Sequence, residues 1–238
     1  LSIGADDAFI ILDLESGSTI TARAGDSIYI AELGEDLNVD TLFAVNDIVL
    51  ETPGSILDAN NDMLLNIRSG SLDLTAGDEI GAADDFLDIQ LNLTGSLTAL
   101  AENDLHIRSL DTLYIEDITV NTGDAVLIVH GDAHVNIITA LAGDVDLTAN
   151  GDVNINLITA AVTVFITADE NIVDVNNDEL ANILALHVDF TSLNAGIGNA
   201  ANPFDIDAAS QVLSTVNAGA PGSIVLNEVS GNMRVDSV

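Results

Sequence analysis

Apolar and polar residues alternate along this chain in short bursts, and the bursts recur with a fixed period. From Gly123 to Val162 the chain reads GDAVLIVHGDAHVNIITALA and then GDVDLTANGDVNINLITAAV, one twenty-residue pattern written twice. The stretch before it, Asn103 to Thr122 (NDLHIRSLDTLYIEDITVNT), keeps the register in weaker spelling. Leu105, Ala125 and Val145 correspond, as do Ile107, Leu127 and Leu147, then Ile115, Val135 and Ile155, then Thr119, Thr139 and Thr159. Within each copy the period is two, which sends alternate side chains to opposite faces of an extended strand. Val145, Leu147 and Ala149 point one way, and Asp146, Thr148 and Asn150 the other; Val153, Ile155 and Leu157 continue the apolar set. The runs are short and rich in β-branched residues, so they read as strands rather than helices. Gly, Asn and Asp punctuate them because tight corners need residues that tolerate left-handed backbone.

Hairpins would explain glycine pairs spaced eight residues apart, but not a twenty-residue identity in which matched positions keep matched chemistry. A parallel β-helix explains both: each copy is one coil of about three short strands, and the next coil lies ~4.8 Å above it. The expected fold is therefore all-β, a parallel β-helix (solenoid) with coils of about 20 residues. The pattern divides a single segment, 1–238, into the remnant of a preceding coil (1–16, with one strand from Ala8 to Leu14), regular coils (17–176) and less regular coils (177–238). Both ends read as mid-pattern, which suggests a fragment of a longer protein. Stacking would align Asn136, Asn156 and Asn176 into an amide ladder and Thr119, Thr139 and Thr159 into a hydroxyl ladder. Asp117 conflicts with strict alternation, which would place it inward beside Ile137 and Leu157. An unpaired carboxylate is costly to bury, so that coil is expected to bend early and expose it. Open sheet edges at the rod ends favour end-to-end association.

Composition narrows the partners. Of 238 residues, 48% are hydrophobic and only 3% aromatic, which suits a narrow interior of stacked branched side chains. Four Arg, no Lys and 39 acidic residues give a net charge of −35. Phosphate binding needs cations, so nucleic acid is excluded as a partner, and an anionic membrane surface repels the chain. No apolar run has the length of a membrane span, so no membrane insertion is expected. Cysteine is absent, and with it disulfides and thiol chemistry.

The acidic residues also supply the sharpest chemical candidates. Asp104, Asp124 and Asp144 fall at one corner of successive coils, and Asp132 and Asp152 at another. Like charges ~4.8 Å apart repel by roughly 1 kcal/mol per pair in water, and a hard divalent cation such as calcium would turn that repulsion into a clamp. The same aspartates read more readily as turn formers whose side chains bond local amides. Neither the nonapeptide calcium-roll repeat nor an EF-hand loop occurs. His106 and His134 take outward strand positions and His130 a corner; their spacing offers no third ligand for zinc. Arg23, Arg68, Arg108 and Arg234 are scattered, and among so many acids the Asp84–Asp85 pair carries no weight, so a non-enzymatic role is expected.

Motifs such as GDVDLTANGDVNINLITA, SLDLTAGDEIGAADD and GIGNAANPFDIDA resemble the haemagglutination-repeat β-helices of filamentous-haemagglutinin-type adhesins and of long, acidic, repetitive bacterial exoproteins. The resemblance covers most of the chain from residue 17 to 238. It implies right-handed winding, export to the cell surface or beyond, and a role as stalk, adhesin or matrix fibre. The resulting expectation is an extracellular structural or adhesive solenoid that associates with itself end to end or side by side. The alternative is a module that binds surface glycans or a host surface, weakened by the absence of Trp and the presence of only Tyr29 and Tyr114. A polysaccharide-degrading β-helix enzyme is third.

Overall fold

Each apolar burst becomes a strand, and each polar cluster becomes a corner. The computed structural model describes residues 1–208 and 215–238; among them are 24 strands and no helix. The strands fall into two twelve-stranded sheets, and successive strands alternate between them for most of the chain. In the central coils Ala125–Val129 lies in one sheet, Ala133–Ala140 in the other, and Val145–Ala149 returns to the first. Every strand-to-strand pairing is parallel, with Ala125 opposite Val145 and Val135 opposite Ile155, so chemically matched positions stack directly. The result is a parallel β-solenoid of about 11 turns with coils of roughly 20 residues. At the strand spacing of a sheet that makes a rod about 50 Å long.

The interior is a column of Ile, Leu, Val and Ala. Leu105, Ala125, Val145 and Val164 stack in it with no solvent exposure, and Ile118, Ile138 and Ile158 form a second such row. Phe190 and Phe204 widen the column towards the carboxyl end and meet edge to face, ring centroids 5.4 Å apart. Fully burying one such side chain contributes about 1.5–3 kcal/mol, and the contribution recurs in every coil.

Corners form by two devices. Between strands, Gly-Asp pairs turn the chain where no side chain fits beneath: a Cβ at Gly143 would collide with the Gly123 carbonyl and the Asp124 carboxylate of the coil below. Within the eight-residue strands Leu113–Val120, Ala133–Ala140 and Val153–Ala160, two consecutive residues face outward and reverse the alternation. These pairs are Glu116–Asp117, Asn136–Ile137 and Asn156–Leu157. Asp117 is accordingly exposed, as its carboxylate requires. Leu157 and Ile137 do not continue the inward set, contrary to strict alternation; Ile158 and Ile138 replace them in the core.

Past the regular coils, Val175 is 49% exposed and Asp174 takes the inward place opposite Ile155. Two further expectations are corrected. The amino-terminal strand is shorter than Ala8 to Leu14: it spans Ile10–Leu12 and pairs with Ile28–Glu32, so the first residues already belong to the stack. His106 keeps its outward direction but is buried, because a loop from the preceding coil folds over it. In the less regular region 177–238, strands from Ile183–Leu184 to Val235–Ser237 continue both sheets; residues 209–214 lie outside the described residues.

Candidate functional site

The corner aspartates are ladders in the literal sense. The Asp104 carboxylate accepts from the backbone N–H of Asp124, and the Asp124 carboxylate from that of Asp144, both at 2.8 Å; the Asp144 carboxylate accepts from Thr163 N–H at 2.7 Å. At the second corner the Asp132 carboxylate accepts from Asp152 N–H at 2.9 Å, and the Asp152 carboxylate from Asn171 N–H at 2.8 Å. Each side chain therefore caps a backbone donor one coil above, one that the turn leaves outside the sheet pairing. All five candidate calcium ligands have one oxygen engaged in this way. Among the described residues no group of three or more His, Asp or Glu side chains converges as a metal cluster.

The amide ladder forms as well. Asn156 donates to the Asn136 side-chain oxygen at 3.0 Å, Asn176 donates to Asn156, and Asn136 donates to the Glu116 carbonyl at 3.1 Å. The threonines are stacked in register, but the Thr119 hydroxyl donates to Asp117 at 3.4 Å instead of linking the ladder.

A denser polar cluster lies on the outside of the sheet near the amino-terminal half. Gly81, at φ 66°, swings the chain outward. Ala82 and Asp85 then exchange backbone hydrogen bonds at 2.9 and 3.0 Å, and Phe86 returns the chain to the sheet. This lid covers His106, whose ring meets Phe86 edge to face at 5.4 Å, and Arg108 beside it. Arg108 donates to both carboxylate oxygens of fully buried Asp88, from Nε at 2.5 Å and Nη2 at 2.8 Å. Behind them, buried Asn66 donates to the Val39 carbonyl at 3.1 Å and to Asp58 at 2.7 Å, and accepts from Asp88 N–H at 2.8 Å. Asp85 is bonded to Asp58; loss of water under the lid, together with the charge of Asp58, pushes its carboxyl up to about 6.

The same cluster recurs further along the chain. ILDANNDMLLNI (56–67) and IVDVNNDELANI (172–183) share the pattern I-x-D-x-N-N-D-x-L-x-N-I. In both, the second Asn of the pair, Asn61 or Asn177, has positive φ, and the last Asn is buried. Asn182 donates to Asp174 at 3.0 Å and accepts from Asp205 N–H at 3.1 Å, as Asn66 does with Asp58 and Asp88. The lid recurs too, with Gly198 at φ 58° and a turn closed between Asn199 and Asn202. Among the differences between the copies, two alter the charges: Asn202 stands where the first has Asp85, and Asn227 where it has Arg108. Asn202 donates to the Asp174 carbonyl at 2.9 Å, and Asn227 to Asp205 at 2.6 Å. A twenty-residue period hides this relation, because the copies are many coils apart; aligning the two Asn-Asn-Asp triplets reveals it.

The comparison makes the pH response of the first copy testable. An acid whose folded value is raised stabilises the fold fully below its unfolded value, near 3.8, and loses that contribution as pH rises through about 6. Asp85→Asn, which copies the second cluster, should flatten the fall in stability between about pH 4 and 6 and raise the melting temperature at pH 7. Thermal melts of both proteins across that range read the difference; parallel curves would contradict the raised Asp85 carboxyl.

A third feature is a shallow groove of about 270 Å³ on the outer face of the central coils. One side carries Tyr114, His134 and Asn154, one above another; the other carries Glu116, Asn136, Asn156 and Asn176. The rings of Tyr114 and His134 are stacked, 4.4 Å apart and inclined by 6°.

No protein-family model, curated protein or solved structure matches this chain. The fold is that of a β-solenoid, and the filamentous-haemagglutinin likeness rests on the style of its motifs.

Proposed function

We propose that the chain is a structural segment of an extracellular bacterial fibre or stalk, in which it holds two attachments apart. One observation carries this reading: two continuous parallel sheets run the described length of the rod, and each coil is bonded to the next at its corners as well as along its strands. Bending or opening such a stack breaks several bonds together, and only the terminal coils present free edges. At one end Ile10 and Ile11 are 42% and 56% exposed, which suits joining by stacking onto a further coil. The net charge of −35 makes neighbouring rods repel one another.

Immunogold labelling of intact producing cells tests the proposal. Label on projections outside the envelope is the expected result. Label that appears only after the cells are made permeable would overturn it.

A further inference from the structure

We propose that the outer groove of the central coils binds an uncharged glycan chain laid along the rod axis, a capacity separate from the spacer role. Its chemistry is unlike that of the surrounding surface. In the Asn136–Asn156–Asn176 ladder the middle amide uses one N–H and one oxygen lone pair on its neighbours. A second N–H and a second lone pair remain on it, so the ladder offers donors and acceptors together, which is what hydroxyl groups require. Asn154, half-buried on the Tyr114–His134 side, has no side-chain hydrogen-bond partner among the described residues, and its amide is free for a ligand.

The stacked rings supply the apolar surface a sugar needs. His134 covers one face of Tyr114. On the other side, Leu97 of the coil below pairs with Ile115, which sets the small Ser96 beneath Tyr114. Ser96 also lines the groove, so the lower face of the Tyr114 ring stays open, and Tyr114 is 39% exposed. A pyranose ring presents C–H groups to an aromatic face and hydroxyls at its rim, and this slot offers both contacts. Charge selects among glycans. The groove contains no cation and one carboxylate, Glu116, on a chain of net charge −35, so uronate or sulfated chains are repelled. The sparse aromatic content of the sequence argued against sugar binding; the stack concentrates one aromatic with one imidazole at a single place.

The test is titration of the whole chain with hexasaccharides of uncharged β-1,4-glucan, β-1,4-mannan and β-1,4-galactan, with oligogalacturonate as the anionic comparison. At least one uncharged chain should bind, and oligogalacturonate should not. Tyr114→Ala should weaken binding by about tenfold, and Asn154→Ala by severalfold, with melting temperatures unchanged because both side chains lie outside the core. Tyr114→Phe should retain binding. Failure of all three uncharged chains to bind, equal binding of the anionic chain, or undiminished binding by Tyr114→Ala would each overturn the proposal.

Discussion

Asp88→Ala should cost about 3–5 kcal/mol of stability, among the largest effects of any single substitution in the chain. The change removes the carboxylate that receives both Nε and Nη2 of Arg108, whose side chain is 12% exposed. A guanidinium left under the Phe86 lid without its carboxylate is a desolvated charge, and that penalty outweighs the lost attraction itself. Arg108→Met should be comparably severe, because it strands a carboxylate that is fully buried. Replacing both partners, as in Asp88→Leu with Arg108→Met, should recover a large part of the loss, since neither charge is then left alone. Urea unfolding followed by circular dichroism measures all three. Additive losses in the double variant would show that the pair is not a coupled unit.

The second large effect is expected at the buried asparagines. Asn66→Ala leaves the buried Asp88 N–H without its acceptor and takes one hydrogen bond each from the Val39 carbonyl, which keeps the Ala59 N–H, and from the Asp58 carboxylate, which keeps the Asn60 N–H. The orphaned donor costs about 1–3 kcal/mol and each of the two other lost bonds about 0.5–1.5 kcal/mol, so a loss of about 3 kcal/mol is expected. Asn182→Ala should behave alike, because its amide holds the Ile155 carbonyl, the Asp174 carboxylate and the Asp205 N–H together. Asn156→Ala provides the contrast. It also breaks an amide ladder, but on the outer face where water replaces the partner, so its cost should stay below about 1 kcal/mol. Equal losses at Asn156 and Asn66 would mean that burial is not what makes these amides matter.

That contrast also marks what the sequence makes legible. The repeat at Gly123 to Val162 predicts the parallel stack, its register and its core rows, because identical side chains at a constant period can only be brought together by stacking. It predicts the outer Asn ladder for the same reason. It misleads at Leu157, where a corner inside a continuous strand turns two successive residues outward, a backbone event that leaves no mark on an Ile or Leu. The conflict at Asp117 was the one visible trace of that corner, since a carboxylate resists the burial its neighbours tolerate. His106 misleads for a different reason: its direction follows from alternation, but its cover comes from a loop twenty residues or so away. The Asp58–Asn66–Asp88 knot escapes a search for short repeats because its second copy lies several coils further on. Its residues are polar, and a strand-period reading assigns polar residues to the surface; here they close a corner beneath a lid. The groove was invisible for a related reason, since Tyr114 and His134 meet only through coil-to-coil register.

The chain is a single stack in which each coil is held by its neighbours. Hydrogen–deuterium exchange of the whole chain tests it most directly. The amides of residues 105–168, flanked by coils on both sides, should exchange slowest. Protection should then decline towards both ends, with fast exchange confined to the terminal strands and to the loops around Asn61 and Asn177. A fast-exchanging break inside 105–168, separating two independently protected blocks, would contradict the claim.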